Sequence, residues 1–549
     1  MPVVYEAERA RAVISTRFIR VLVALITIVS CRPWSAVDAQ TTPPPSYSAD
    51  SPHWSHINVC DFGRALKYLD QTEGTRQAAC EWYARHVDMT EVGMANFTYH
   101  YSTQPSSVNI KTYNPTIKTF GYDIDLTVCQ HEGCTSTMPA TAPEYLPASE
   151  DQYLHFSETT TLKYYSLQNA LIGSVTVPGC PDTGSLSPAC RVRLFIYNDY
   201  RWLPNLKSAM WREWYASHLI SEMNNDPCNS PYPVDGLFLD EHGPGFYLCF
   251  GIGVQTKITS GGGILEYGGR RPSAVYTPND ALDLAYNADA VNWLTELRAR
   301  LEPAGKFMHI NTAEYFMDPL GFSQSLAAKG AMTELLHAPD HFRSGASIYR
   351  QFIDQVHQMT SGGASVDLAY TWCAAVPAGY TAGNYRTAVE RYRMWNLASY
   401  YMVRERPGEP GRAYFNPNLC VNVNSSDPLD FEKEWLAAYE SDVGQPQDSA
   451  TVLQHGALGC STQGYTVFAR HYTNALVLVR PRDDMQCTDY GDDTAVDVPL
   501  TSWMVMLEPD GTFSPWVSSV AIRNAEAVIL FSRPDTIPPS KVRDMQQVR

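Results

Sequence analysis

Residues 233–246 read PVDGLFLDEHGPGF: a short apolar run, Leu237-Phe238-Leu239, is closed by two adjacent carboxylates, Asp240 and Glu241, and followed by His242 and a Gly-Pro-Gly turn. Acids and amides recur where other apolar runs end. Asp123 and Asp125 close FGYDID, Asn198 and Asp199 follow LFIY, Asn311 and Glu314 follow FMHI, and Glu334 closes AMTELL. Such an inventory suits glycosidic-bond cleavage. One carboxylic acid protonates the leaving oxygen, and a second carboxylate attacks the anomeric carbon or activates water; their separation, about 5 Å or rather more, sets the stereochemical outcome. On this reading Asp240 is nucleophile or base, Glu334 is proton donor, and Glu241 can replace either, with the roles reversible. Asp123, Asp125, Asn198, Asp199, Arg201, Trp202, His242, Asn311, Glu314, Tyr370 and Trp372 are the candidate substrate contacts, and Tyr197 and Tyr200 add rings that stack on flat apolar sugar faces.

Structural roles compete for each group. Strand side chains alternate, so one of Asp240 and Glu241 must point away from the others as an ion-pair or supporting residue. Asp235 is expected to brace a loop or the start of its strand. Glu334, on an apolar strand, is costly to bury unless paired or functional. His242, His309, His337 and His341 lack an HExxH or comparable spacing, so they are read as satisfied structural histidines and no metal is assigned. Trp211 and Trp214 sit at helical spacing and are expected in the core. No cofactor is implied: GxGxxG and GxxxxGK[ST] are missing, and so are the GxSxG of a serine hydrolase and any CxxC. An esterase or deacetylase would need a nucleophilic serine or a metal site that the sequence does not offer.

The elements that would position these groups alternate. From 53 to 450, near-continuous apolar strands (IKTFGYDIDLTV, VRLFIYNDYRW, VDGLFLDEH, KFMHINTAEYF, GAMTELL, SVDLAYTW) interleave with amphipathic helices such as LKSAMWREWYASHLISEMNN and YRTAVERYRMWNLASYYMV. That pattern predicts a parallel sheet covered on both faces. About eight units favour a (β/α)8 barrel, an α/β fold in which strand-end residues converge on one mouth. Residues 129–190 are an insertion, and the glycine run at 261–263 is expected to be a flexible surface loop. Residues 451–533 carry antiparallel signals, including Pro509-Asp510-Gly511, and predict a small C-terminal β-sandwich. Residues 40–52 form a Pro/Ser/Thr linker, and 534–549 a disordered tail.

Arg9, Arg11, Arg17 and Arg20 precede the apolar run VLVALITIVSC, residues 21–31, which has the length of a signal-peptide core. Cleavage after Val37-Asp38-Ala39 is favoured over a lipoprotein route through Ile28-Val29-Ser30-Cys31, which would leave a lipid anchor on Cys31. Residues 1–39 are therefore read as a signal peptide, and the protein as secreted, extracellular or periplasmic, with a lipid-anchored surface form as the alternative. The remaining chain carries 36 basic and 55 acidic side chains, a balance of −19 that repels nucleic acid and anionic lipid. Twelve of the 13 cysteines lie beyond the leader, an even number that suggests disulfides, with nearest-neighbour pairs such as Cys129–Cys134 and Cys180–Cys190. The sequence fixes no oligomeric state.

In order along the chain, KTYNPTIKTFGYDID, WREWYASHLI, VDGLFLDEHGPGF, KFMHINTAEY, GAMTELL and WLAAYESDVGQP resemble the largely uncharacterised extracellular glycoside hydrolases with TIM-barrel folds, distantly similar to endo-α-1,4-polygalactosaminidases. The likeness covers roughly residues 110–531, and YTVFARHYTNALVLVRP to AEAVILF resembles the β-sandwich that closes such chains. It implies an acid at the end of the DGLFLDE strand, here Asp240 or Glu241, with Glu334 mapped as its partner. The cysteine-bearing insertion departs from the compact pattern, so no sugar is carried over. The reading is a glycoside hydrolase acting on a polysaccharide or glycoconjugate. The alternative is a non-catalytic glycan-binding surface protein on the same barrel.

Overall fold

The structure, a computed structural model, describes residues 57–61, 73–91, 110–123, 128–129, 149–166, 170–196, 199–224, 234–240, 242, 256–270, 281–312, 316–333, 345–369, 382–417, 435–482, 487–488 and 490–532. All of them belong to one compact unit, residues 44–549. The expected leader, the whole linker and the tail lie outside the described residues.

In chain order the strands are β1 (Cys60–Asp61), β2 (Met89–Glu91), β3 (Lys118–Asp123), β4 (Val128–Cys129), β5 (Thr160–Tyr165), β6 (Leu171–Val177), β7 (Arg193–Ile196), β8 (Asp199–Trp202), β9 (Gly236–Leu239), β10 (Thr256–Ser260), β11 (Gly263–Ile264), β12 (Gly269–Arg270), β13 (Phe307–Asn311), β14 (Gly330–Met332), β15 (Ser365–Ala369) and β16 (Arg412–Asn416). Six more, β17 (Thr451–Leu458), β18 (Ser461–His471), β19 (Ala475–Arg480), β20 (Val496–Met506), β21 (Val517–Ile522) and β22 (Glu526–Phe531), end the chain. The principal helices are α1 (Glu73–His86), α2 (Ala209–Asn224), α3 (Ala281–Leu301), α4 (Pro319–Ala328), α5 (Ala346–Ser361) and α6 (Ala382–Val403).

Eight strands form one parallel sheet in the order β1-β2-β3-β9-β13-β14-β15-β16. Its two edges meet: Val59 bridges Phe415 in parallel, and Phe415 N donates to Asn58 O at 2.8 Å. This is the (β/α)8 barrel the alternation predicts. The seam is braced by side chains. Asn58 Nδ2 donates to Glu405 Oε1 (2.9 Å) and to Ala413 O (3.1 Å), and Asn58 N donates to the Tyr400 hydroxyl (3.1 Å).

Strand alternation sorts the barrel residues into two sets. Cys60, Met89, Phe120, Phe238, Met332 and Tyr414, one from each of six strands, form a buried cluster with Phe307 against it, the filling of the barrel. Their neighbours Leu237, Leu239, Met308 and Ile310 pack instead with α2 and α3, while Val366, Leu368, Ala413 and Phe415 pack with α5 and α6. Interior space is tight: a Cβ at Gly330 would collide with the Met308 carbonyl and the His309 ring, so only glycine fits where β14 starts. α4 shows why a helix begins where it does. Asp318 caps it by accepting from Leu320 N (2.8 Å), Pro319 occupies the first turn, and Lys329 ends it in the left-handed conformation.

Two sequence expectations change. VRLFIYNDYRW is not a barrel strand. Its halves, β7 and β8, pair antiparallel with Ile196 opposite Asp199 and join β4 in a separate three-stranded sheet. The insertion between β3 and β9 is therefore longer than 129–190, and its Leu154, Phe156, Leu162, Val192 and Leu194 join the core that α2 and α3 form with the barrel strands. The Gly261–Gly263 run is not a loose loop. Gly261 and Gly262 have positive φ, Gly262 N donates to Thr160 Oγ1 (3.0 Å) and Gly263 N to Glu158 Oε1 (3.1 Å), so the run docks onto the insertion.

The C-terminal domain is one antiparallel sheet, β17-β18-β19-β22-β20-β21, folded on itself. β20 turns the corner: Val505 and Met506 pair with β22, whereas Val496 to Pro499 pair with β21 after a break in register. Val498, Val520 and Ile522 thereby cover Val467, Leu478 and Leu530, which makes a sandwich out of a single sheet. The other face, with Phe468, Val477, Val479 and Ile529, joins the barrel core beside α6.

Two disulfides follow nearest-neighbour pairing, Cys180–Cys190 and Cys460–Cys487. Cys60 does not: it is an unpaired thiol inside the barrel, because its strand turns it inward. No helix among the described residues is long and apolar enough to cross a membrane.

Candidate functional site

Asp240 follows β9 directly and shares the inward face of Phe238, so the alternation aims it at the barrel axis. Asn311, the last residue of β13, donates its amide to Asp240 Oδ1 at 2.7 Å. Asn311 is itself buried, and its carbonyl accepts from His242 N (2.9 Å). The carboxylate is thus oriented by a neighbour that cannot swing freely.

Behind it runs a chain of amides. His242 Nδ1 meets Gln324 Oε1 (3.1 Å), Gln324 Nε2 donates to Asn287 Oδ1 (2.9 Å), and Asn287 Nδ2 donates to Ser323 Oγ (3.0 Å). An amide oxygen only accepts, so Nδ1 carries the proton and the tautomer is set. His242 is buried and tied through this chain to α3 and α4. The structural reading of His242 fits this placement.

Asp123 ends β3 but faces the other way. Phe120 fills the barrel, so residue 123 has the opposite parity, and Tyr215 of α2 donates its hydroxyl to Asp123 Oδ2 at 2.5 Å. Asp235 braces the base of the same region, accepting from Thr119 N (2.8 Å) and pairing with Lys111 (2.5 Å). Trp202 lies in the insertion, with its ring under the Arg191 guanidinium (4.4 Å) and edge-on to Tyr153 (5.6 Å). Arg201 and Asp199 belong to the same accessory strand β8 and not to a barrel strand. Glu241, Glu334, Asp125, Asn198, Glu314, Tyr370 and Trp372 lie outside the described residues, as do Tyr197, His337 and His341. Trp211 is wholly buried among Tyr215 and Trp293, as its helical spacing predicts.

Below the mouth the barrel holds further polar groups, of which the sequence reading passed over Asp367. Asp367 of β15 is almost completely buried, accepts from Asn416 Nδ2 (3.1 Å), and hydrogen-bonds the Cys60 thiol. Burial first, and the Asp367 charge next, push that thiol well above its ordinary range, so it is no nucleophile. His309 is equally buried, hydrogen-bonds Ser365 Oγ, and is pushed by burial down to about 3, so it is neutral at physiological pH. One signal marked Asp367 in the sequence. It is a lone acid at an inward position of an apolar strand, the argument that singled out Glu334. Among the described residues no cluster of three or more histidine, cysteine or acidic side chains could hold a metal.

Fold and site together define a class: a closed (β/α)8 barrel with an oriented carboxylate at the C-terminal end of a central strand and a folded antiparallel sheet behind it. No family model matches the chain, and no curated protein matches it. Solved structures similar in outline are glycoside hydrolases. They include trehalose-6-phosphate hydrolase from Bacillus licheniformis (8% identical, covering 87% of this chain and 99% of that one, TM-score 0.38). An α-amylase from Lactobacillus plantarum matches with the same identity, coverage and score. A GH31 family sulfoquinovosidase from E. rectale is 9% identical over 90% of this chain and 64% of its own, at TM-score 0.32. At such scores the likeness is one of outline only.

Proposed function

We propose that the chain is a secreted glycoside hydrolase that cleaves O-glycosidic bonds of a polysaccharide or glycoconjugate. The observation that carries the reading is the Asp240 carboxylate at the end of β9, held by Asn311 at 2.7 Å. In this reading Asp240 attacks the anomeric carbon or activates water, Glu334 protonates the departing oxygen, and Glu241 can replace either. The ordered resemblance of VDGLFLDEHGPGF, KFMHINTAEY and GAMTELL to extracellular TIM-barrel hydrolases supports it. So do the two disulfides, which suit an oxidising compartment.

The test is reducing-end release by the mature protein across neutral, amino and acidic polysaccharides. Asp240→Asn and Glu334→Gln should each lower turnover by about 10²–10⁴-fold, with unchanged circular dichroism. Wild-type rates in both variants would remove the assignment. Binding to a polymer without release by the wild type would move the reading to the non-catalytic glycan-binding alternative.

A further inference from the structure

Most large apolar side chains of the C-terminal sheet are buried, but two indoles are not: Trp503 is 62% exposed and Trp516 is 50% exposed. Their positions are related. Met504 of β20 pairs with Val517 of β21, and Met504 points into the sheet's core. Trp503 and Trp516 precede the two members of that pair, Trp503 at the break in register of β20 and Trp516 just before β21, and both are exposed. Each is the chain neighbour of one member of a cross-strand pair, which keeps their backbones within roughly 13 Å of each other, a span that one oligosaccharide can bridge. They make no ring contact with each other among the aromatic pairs of the described residues.

The surroundings narrow the occupant. Residues 498–507 and 512–522, which carry both rings, contain no Asp, Glu, Lys, Arg or His in a chain of net charge −17. They contain instead the exposed hydroxyls Thr501, Ser502, Ser518 and Ser519. Two exposed indoles on segments that carry hydroxyls and no charge offer stacking faces for apolar C–H surfaces and neutral hydrogen-bonding groups beside them. They offer nothing to a phosphate or to an anionic membrane.

We propose that Trp503 and Trp516 form a binding site for a neutral polysaccharide chain, two sugar rings stacking on the two indoles. The site is distinct from the barrel mouth, lying on the corner where β20 leaves the main sheet for β21. It would hold polymer whether or not the barrel cleaves it.

The experiment is affinity electrophoresis of the full mature chain in native gels cast with soluble starch, xyloglucan, mixed-linkage β-glucan or galactomannan, with heparin and polygalacturonate as charged polymers. It is run in the Asp240→Asn background, so that cleavage of the matrix cannot intrude and a failed hydrolase reading leaves the result interpretable. At least one neutral polymer should retard the protein. Trp503→Ala and Trp516→Ala should each weaken retention about tenfold, and the double variant should abolish it. Trp503→Tyr/Trp516→Tyr, which keeps two flat faces, should retain most of it, and thermal melts should match throughout because neither ring is buried. Retardation by no neutral polymer, or equal retardation of the double alanine variant, would overturn the proposal. So would a change of sedimenting mass in that variant, which would assign the rings to self-association.

Discussion

The barrel and the C-terminal sheet both bury charged or polar side chains, but of different kinds. The barrel interior buries titratable groups that satisfy one another: His309 with Ser365, and Asp367 with Asn416 and Cys60. The sheet buries guanidiniums that donate to backbone carbonyls. Arg470 Nε donates to Asp448 O (2.9 Å), and its Nη1 donates to Tyr401 O (2.9 Å) and Arg404 O (2.7 Å), carbonyls at the C-terminal end of α6. Arg480 similarly reaches Ile522 O (2.9 Å). A cation on the last carbonyls of a helix satisfies orphan acceptors and opposes the dipole. The sheet therefore uses buried charge as a fixed brace, whereas the barrel keeps groups whose state depends on their surroundings.

The contrast can be broken at its apolar base. Phe238→Ala empties the centre of the barrel filling and should cost about 3–5 kcal/mol, lowering the urea midpoint of the whole unit. A much smaller loss would mean that the interior is not close-packed. Arg470→Met sharpens the other side. It strands the α6 carbonyls and should cost about 3 kcal/mol, with proteolysis of the sheet accelerating before any loss of barrel tryptophan fluorescence. Simultaneous loss of both signals would show that the sheet has no separable docking energy. The smallest effect, over the range from pH 6.5 to about 4.5, is the pH limb. An unfolded chain binds a proton at residue 309 below 6.5, and the native barrel refuses it down to about 3. Native stability should therefore fall as pH drops through that window, by up to about 1.4 kcal/mol per unit, and be unaffected above it. His309→Gln should flatten this acid limb in urea titrations between pH 6.5 and about 4.5. An identical slope would assign the acid sensitivity elsewhere.

Much of this architecture is legible in local pattern. FMHIN, GLFL and SVDLA are short apolar runs bounded by polar residues, and all became parallel barrel strands. VRLFIYNDYRW shares that texture, yet it folds back on itself between Ile196 and Asp199, and reading it as a single run hid an antiparallel ribbon. Asp240 was legible because a carboxylate that ends an apolar strand stands out. Its orientation by Asn311 was not, since the two are joined only by neighbouring strands from distant parts of the chain. Asp367 went unread because attention fell on strand ends, whereas it is buried one layer deeper. The parity that turns Asp123 toward Tyr215 depends on which residue of the strand fills the barrel: Phe120 does, so Asp123, three residues on, takes the opposite face.

The seam at Asn58 sets an order of events in time. Its side chain reaches Ala413, 355 residues along the chain, and Glu405, 347 residues along. Strand β1 therefore has no partner on one side until nearly the whole barrel has been made. Synthesis at about 5–20 residues per second keeps that edge waiting for tens of seconds. Contacts of such span also make closure entropically late and slow. A chain assembled this way spends its early life as an open sheet with a bare edge. The short β1, two residues long with the buried Asp61 at its end, leaves little of that edge for another chain to pair with.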